Sequence, residues 1–163
     1  MTNLERNADV VVMSSYAPLF CKDGHSNWNP DLIYFNNTSV RPTPGYYVQK
    51  AFGVNNGVKY IPTALNVKGN QDVQLRVNAS VVKAENGDLI VKMVNLLPSD
   101  VKMTINFGNL DGYDSKNAVW STMTGKPGDG AVTPTEATKA IETSTSCTLA
   151  SYSFTVIRIK KAS

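Results

Sequence analysis

Thirteen carboxylates, one histidine and two cysteines are the groups in this 163-residue chain that could do chemistry. Two carboxyl groups held a few ångströms apart can divide the work of general acid/base and nucleophile between them. The four glutamates are poorly placed for that: Glu5 falls at a helix end, Glu85 in a hairpin turn, and Glu136 and Glu142 in a Thr-rich stretch. Of the nine aspartates, Asp9 is expected in solvent just before a strand, and Asp31, after Pro30, as a turn cap. His25 has only Asp23 close in sequence. A metal site needs clustered His, Cys, Asp or Glu ligands, so no metal and no cofactor is expected. A Ser-His-Asp or Cys-His arrangement could still assemble in space, but no nucleophile-elbow pattern supports one. Cys21 and Cys147 read as two buried or half-buried free thiols, although they could pair in an oxidising compartment.

The elements that must position these groups belong to a chain long enough for one ordinary domain with a core. A hydrophobic fraction of 42% and a charged fraction of 18% fit a soluble globular protein. The net charge of +3 is scattered, and Lys160-Lys161 is the nearest thing to a basic cluster. Nucleic-acid binding calls for a basic stripe with interleaved aromatics, so no nucleic acid is expected as a partner. No apolar stretch approaches the ~20 residues of a membrane span, and Met1 to Arg6 lacks the basic-then-apolar order of a signal peptide. No membrane partner is expected either. Asn36, Asn37 and Asn78 stand in Asn-x-Ser/Thr sequons.

The chain divides into two regimes near Asn55 to Gly57. In the first, Leu4 to Asp9 reads as a helix tail and Val10 to Met13 as a strand buried on both faces, the parallel-sheet pattern. A domain that opens in mid-helix is expected to be a piece of something larger. A polar loop follows from Lys22 to Asn29, then a short apolar segment from Leu32 to Phe35. Thr43-Pro44 supplies an N-cap and an N1 proline for a helix that Gly53 should stop. Tyr46 and Tyr47, adjacent in that helix, cannot share a face, so one should face the core and the other an interface with the sandwich.

In the second regime the apolar residues alternate. Val73 to Val81 is expected as a half-buried strand, with Asn86-Gly87 making a type I′ turn into Leu89 to Asn95. Val101 to Phe107, Val119 to Met123 (with Trp120 in the core) and Tyr152 to Ile159 are further strands, and Thr124 to Glu142 a long surface excursion. Regular strands joined by turn signals point to an all-β sandwich.

Three stretches carry a more specific signal. They are Leu4-Glu5-Arg6-Asn7-Ala8-Asp9-Val10-Val11-Val12-Met13 running into Ser14 to Phe20, then Asn27-Trp28-Asn29-Pro30-Asp31-Leu32-Ile33-Tyr34-Phe35, then Thr43-Pro44-Gly45-Tyr46-Tyr47-Val48-Gln49-Lys50-Ala51-Phe52. In this order and spacing, the first third of the chain closely resembles the C-terminal part of family 51 glycoside hydrolases, the α-L-arabinofuranosidases. The resemblance implies a mainly β chain: an antiparallel jelly-roll-like β-sandwich at 57–163, preceded at 1–56 by the last strand, loop and helix of a (β/α)8 catalytic barrel. In that family both catalytic glutamates lie on barrel strands upstream of the matching segment. None of Glu5, Glu85, Glu136 and Glu142 matches a barrel-strand end, where barrel catalysis happens. The resemblance therefore implies no catalytic residue here and no glycosidase activity for this chain alone.

It also implies that the loop after the last barrel strand lies on the active-site face, with a sugar-contacting polar side chain near its tryptophan. The matching positions are Asn27 and Trp28, with His25 nearby. Relatives often carry glutamine around that tryptophan where this chain has Asn27-Trp28-Asn29. Alternatively, Trp28 packs on Tyr34 or Phe35 and only braces the loop.

The function so implied is that of a non-catalytic C-terminal segment supporting the barrel of an enzyme that removes terminal arabinofuranosyl residues from arabinan or arabinoxylan. Its partners would be the rest of the barrel and an arabinose-containing polysaccharide, in an extracellular or periplasmic setting. The alternatives are an independent carbohydrate-binding sandwich, betrayed by a row of exposed aromatics, and a plain protein-interaction domain. Without the barrel, the region from Val10 to Phe52 should pack loosely or self-associate through its apolar surface.

Overall fold

The computed structural model of the chain describes residues 1–126, 128–129 and 132–162. Its elements are three helices, Thr2–Arg6 (α1), Pro44–Val54 (α2) and Gln71–Arg76 (α3), and eleven strands. Phe20–Lys22 (β1), Ile33–Phe35 (β2) and Val40–Pro42 (β3) form a small sheet in which β1 runs parallel to β2 and β2 antiparallel to β3. Lys59–Tyr60 (β4), Val77–Lys83 (β5), Leu89–Asn95 (β6), Ala118–Thr124 (β8), Thr135–Lys139 (β9) and Ser153–Ile159 (β11) form an antiparallel sheet in the order β4-β5-β6-β11-β8-β9. Val101–Asn106 (β7) and Ser144–Leu149 (β10) pair into a two-stranded sheet against one face of it. The fold is mainly β, and its two facing antiparallel sheets make a β-sandwich.

The centre of the large sheet is buried on both faces, which explains the near-continuous apolar runs of β6 and β11. On the inner face Val81, Val91, Met93, Trp120, Ile157 and Ile159 meet Leu149 and the inward residues of β7. There β7 alternates as its sequence predicts, with Val101, Met103 and Ile105 in and Lys102, Thr104 and Asn106 out. On the outer face Val82, Ile90, Phe154 and Val156 are covered by Phe52, Tyr47, Val48 and Ala51 of α2. The rings of Phe52 and Phe154 stack at 5.2 Å. Tyr47 thus faces the sheet, while Tyr46 meets it edge-on from the neighbouring position. α2 begins as its sequence dictates, with Thr43 Oγ1 accepting from the Tyr46 N–H and Pro44 in the first turn.

Buried polar groups tie the strands together. Asp88, in the turn between β5 and β6, accepts from Arg158 Nε at 2.8 Å and from the Lys161 and Asn86 nitrogens at 3.0 and 3.1 Å. Burial pushes its carboxyl up, but these donors outweigh burial and hold it below the ordinary 3.8. A carboxyl depressed in the folded state binds fewer protons there than unfolded. Its stabilisation is therefore complete above 3.8 and lost as pH falls through the lower folded value. Acid unfolding followed by circular dichroism should show a shallower loss of stability in this range for Asp88→Asn, which starts from a lower plateau.

Several expectations are corrected. Val10 to Met13 is not a strand: Val10, Val12 and Met13 are 72%, 96% and 85% exposed. A doubly buried parallel strand needs hydrogen-bonded neighbours on both edges, and no described strand of this chain supplies them. Gly53 does not stop α2, which runs through Val54 to a cap at Asn55. Residues 73–76 belong to α3 rather than to a strand, because Asn70 Oδ1 accepts from the Val73 N–H and starts a helix that alternation alone hid. In the β5–β6 turn only Gly87 has positive φ (+89°), and Ala84 N–H donates to Asp88 O. This is a three-residue connection with a glycine in the left-handed region, not type I′. The stretch from Thr124 to Glu142 contains strand β9; its Pro127, Gly130 and Ala131 lie outside the described residues. Strand β10 was not foreseen. Cys21 and Cys147 are free, buried and half-buried respectively.

Candidate functional site

The loop between β1 and β2 is built around one hydroxyl. Ser26 Oγ accepts from the Trp28 N–H at 3.0 Å and lies 2.7 Å from the Trp28 carbonyl oxygen and 3.1 Å from Asp31 Oδ2. Asp31 is buried at 1% exposure, so it anchors the loop from inside rather than capping a turn at its surface. Its N–H donates to the Tyr34 hydroxyl, which donates to Asn29 Oδ1 at 2.8 Å. At the far side Arg41 bonds Asp23, and Asn36 donates to the same carboxylate. The Arg41 guanidinium holds the Asp23 carboxyl below its usual range.

This network holds Trp28 in a fixed loop with 65% of its surface exposed. Among the described aromatic pairs Phe35 meets Phe20 edge-on at 6.4 Å, and Tyr34 is engaged through its hydroxyl. His25 and Asn27 are exposed beside Trp28. The His25 N–H closes a turn onto Lys22 O, after Gly24 at φ +73°. His25, Asn27 and Trp28 thus share one solvent-facing loop, and no side-chain hydrogen bond among the described residues commits His25 or Asn27 elsewhere. Such a surface can hydrogen-bond and stack on a polar ring, but it has no carboxylate pair with which to cleave one.

Other apolar side chains of the first 56 residues are also open to solvent. Val10, Val12, Met13, Leu19, Phe20 and Val40 are all among the exposed large hydrophobics of the described residues.

Glu5, which sequence reasoning left at a helix end, carries structural weight. Its carboxylate accepts from Lys92 Nζ at 2.5 Å and from Ser80 Oγ at 2.6 Å. Lys92 is fully buried in the outer-face core, its ammonium 5.2 Å from the Phe52 ring centroid. Burial lowers its pKa, and Glu5 opposes that shift. Arg6 of the same helix donates to Ala79 O. The available signal was a lysine inside the apolar run of β6, whose partner had to come from elsewhere in the chain.

A family model described as the alpha-L-arabinofuranosidase C-terminal domain matches residues 1–162. Alpha-L-arabinofuranosidase 1 of Arabidopsis thaliana is 37% identical over 112 residues, 68% of this chain and 16% of that protein. The extracellular exo-alpha-L-arabinofuranosidase of Streptomyces chartreusis is 48% identical over 63 residues, 39% of this chain and 8% of that protein. The chain thus spans less than a fifth of the length of these relatives. Among solved structures, an arabinose-bound family 51 α-L-arabinofuranosidase superposes with a TM-score of 0.86 at 27% identity, covering 99% of this chain and 26% of that one. The arabinose complex of the Thermotoga maritima enzyme, at TM-score 0.75 and 19% identity over 96% of this chain and 36% of that one, shares the fold. The chain belongs to the α-L-arabinofuranosidase C-terminal domain family of the family 51 glycoside hydrolases.

Proposed function

We propose that this chain is the non-catalytic C-terminal segment of an α-L-arabinofuranosidase, an enzyme releasing terminal α-L-arabinofuranosyl residues from arabinan or arabinoxylan, and that its task is to support the catalytic barrel. Residues 1–56 would complete the barrel with its last strand, loop and helix, and residues 57–163 would form the supporting sandwich. The observation that carries this reading is the exposed apolar run at Val10 to Met13. Such a run is costly in water and fits a strand whose neighbours lie on another part of the protein. Two further features favour it. The strands β1, β2 and β3 form a sheet of their own. The buried pair of Glu5 and Lys92 would fasten the segment just before this run to the sandwich.

In this reading the loop bearing His25, Asn27 and Trp28 borders the substrate pocket, contributing contacts while the barrel supplies the acids. The isolated chain, lacking its partner surface, should associate with itself. Light scattering during size-exclusion chromatography should find species larger than a monomer, and Val12→Ser with Met13→Ser should raise the monomer fraction. A monodisperse wild-type monomer whose Val10 to Met13 amides resist hydrogen exchange would contradict the reading.

A further inference from the structure

The three Asn-x-Ser/Thr sequons at Asn36, Asn37 and Asn78 stand in very different surroundings once the chain is folded. Joining a sugar to an asparagine makes demands that can be checked against them. The carboxamide nitrogen is a weak nucleophile, because its lone pair is delocalised into the carbonyl as in a peptide bond. The carboxamide must therefore be free to rotate in the grip of an enzyme. The hydroxyl two residues on must be within that enzyme's reach, and the bulky product must stand clear of packed surface.

Asn36 fails the first demand. Its Nδ2 donates to Asp23 Oδ2 at 3.0 Å. Its Oδ1 accepts from the Thr38 and Ser39 backbone N–H groups at 2.9 Å and from both of their hydroxyls at 3.0 Å. Engaged at both ends, this half-buried carboxamide is the hub of the connection between β2 and β3 and cannot turn. Asn78 fails the second. Ser80, which completes its sequon, has no exposed surface, and Ser80 Oγ donates to the Glu5 carboxylate. Asn78 Nδ2 is engaged as well, donating to Leu75 O at 3.0 Å.

Asn37 meets all three demands. It is exposed at the tip of the β2–β3 hairpin, where the Asn36 N–H donates to Ser39 O and closes the turn. Its carboxamide makes no hydrogen bond among the described residues. Ser39, the hydroxyl residue of its sequon, is exposed too. The bond from Ser39 Oγ to Asn36 Oδ1 is one of four on an oxygen that has two lone pairs. Such an over-subscribed acceptor releases one hydroxyl at little cost.

We propose that Asn37 is the asparagine-linked glycosylation site of the folded chain, and that Asn36 and Asn78 stay unmodified. The donor is a sugar carried on a diphosphate. Asn37 Nδ2 attacks the anomeric carbon, and the new N–C bond forms as the bond from that carbon to the diphosphate oxygen breaks. The diphosphate leaves with the electron pair, and the nitrogen gives up one proton to the transferring enzyme. The site is separate from His25, Asn27 and Trp28 and does not depend on the barrel-supporting role proposed above.

The test offers the purified, folded full chain to a single-subunit oligosaccharyltransferase with a lipid-diphosphate-linked oligosaccharide, and separately to a soluble N-glucosyltransferase with UDP-glucose. The arm that transfers identifies the carrier as lipid or nucleotide. Intact mass should show one glycan per chain, and electron-transfer fragmentation should place it on Asn37. Ser39→Ala removes this sequon but keeps Asn36-Asn37-Thr38, and transfer should be lost. A tryptic digest, in which the hydrogen bonds of the fold are gone, should accept sugar at Asn36 and Asn78 as well. No transfer to Asn37 in either arm, transfer to Asn36 or Asn78 of the folded chain, or transfer that survives Ser39→Ala overturns the proposal. So does a digest modified at Asn37 alone, since the fold would then not be what shields the other two. None of these outcomes bears on the support role, whose readout is association through Val10 to Met13.

Discussion

Glu5→Ala should lower the stability of the chain by about 3 kcal/mol, the low end of the cost of stripping one partner from a buried ion pair. Lys92 has no exposed surface, and its ammonium has only the Glu5 carboxylate as an ionic partner among the described residues. The side chain of Glu5 retains 18% exposure, so water can reach the gap left behind and soften the loss. The penalty comes mainly from the abandoned charge. Combining Glu5→Leu with Lys92→Met should accordingly recover most of the stability, since replacing both ions by apolar groups is often neutral or better.

The pH dependence has a definite sign. Burial depresses the Lys92 pKa below its ordinary 10.5, so between the two values the unfolded chain binds more protons than the folded one. Stability therefore rises with pH across that window. In Glu5→Ala, which loses the opposing influence of the carboxylate, the rise should be steeper and begin at lower pH. Urea unfolding at several alkaline pH values reads both effects. Hydrogen exchange should also show that the α1 amides lose protection in Glu5→Ala before the sheet does, because Glu5 and Arg6 make the polar contacts of that helix with β5 and β6.

Asn95→Ala should cost a similar amount, about 3 kcal/mol, by a different route. Asn95 is fully buried at the end of β6. Its Nδ2 donates to the Ser99, Leu149 and Ala150 carbonyl oxygens at 2.9, 3.2 and 2.8 Å, and its Oδ1 accepts from the Leu97 N–H at 3.0 Å. One side chain thereby joins the turn after β6 to the link between β10 and β11, the point where the small sheet is sewn to the large one. Truncation leaves several backbone groups without partners in a site closed to water, each worth roughly 1–3 kcal/mol if unpaired. Partial relaxation of the turn brings the total down to the figure given. Thermal unfolding should show the loss together with faster hydrogen exchange in β10.

How far the sequence disclosed these features depended on whether the relevant signal was local. The strand Leu89–Asn95, the Thr43-Pro44 helix start and the alternation of β7 were legible because propensity, capping and burial agreed at those residues. The helix α3 was hidden by a chance alternation at 73–77, although Asn70 and Asp72 carried the cap and first-turn signals that would have found it. Strands β9 and β10 were hidden by composition. Thr135–Lys139 is exposed throughout, and Ser144–Leu149 presents only Cys147 and Leu149 as apolar inward residues, so both read as loop until their partners are known.

The candidate sites divide in the same way. His25, Asn27 and Trp28 came from a resemblance within one stretch, and the structure adds the Ser26 and Asp31 scaffold that fixes the loop. The pairing of Glu5 with Lys92 spans 87 residues, and the choice among the three sequons rests on bonds that reach Asp23 and Glu5. Neither is written in any window of sequence.

The central claim is that this chain supports a sugar-cleaving enzyme without carrying the cleaving groups. The direct measurement is release of L-arabinose from arabinan, and of the aryl group from an aryl α-L-arabinofuranoside, by the purified chain at high concentration over long incubation. The account predicts rates equal to the buffer blank, unchanged by substituting Glu5, Glu85, Glu136 or Glu142 by Gln. Release above the blank that one of these substitutions abolishes would place a catalytic carboxylate in this chain and contradict the account.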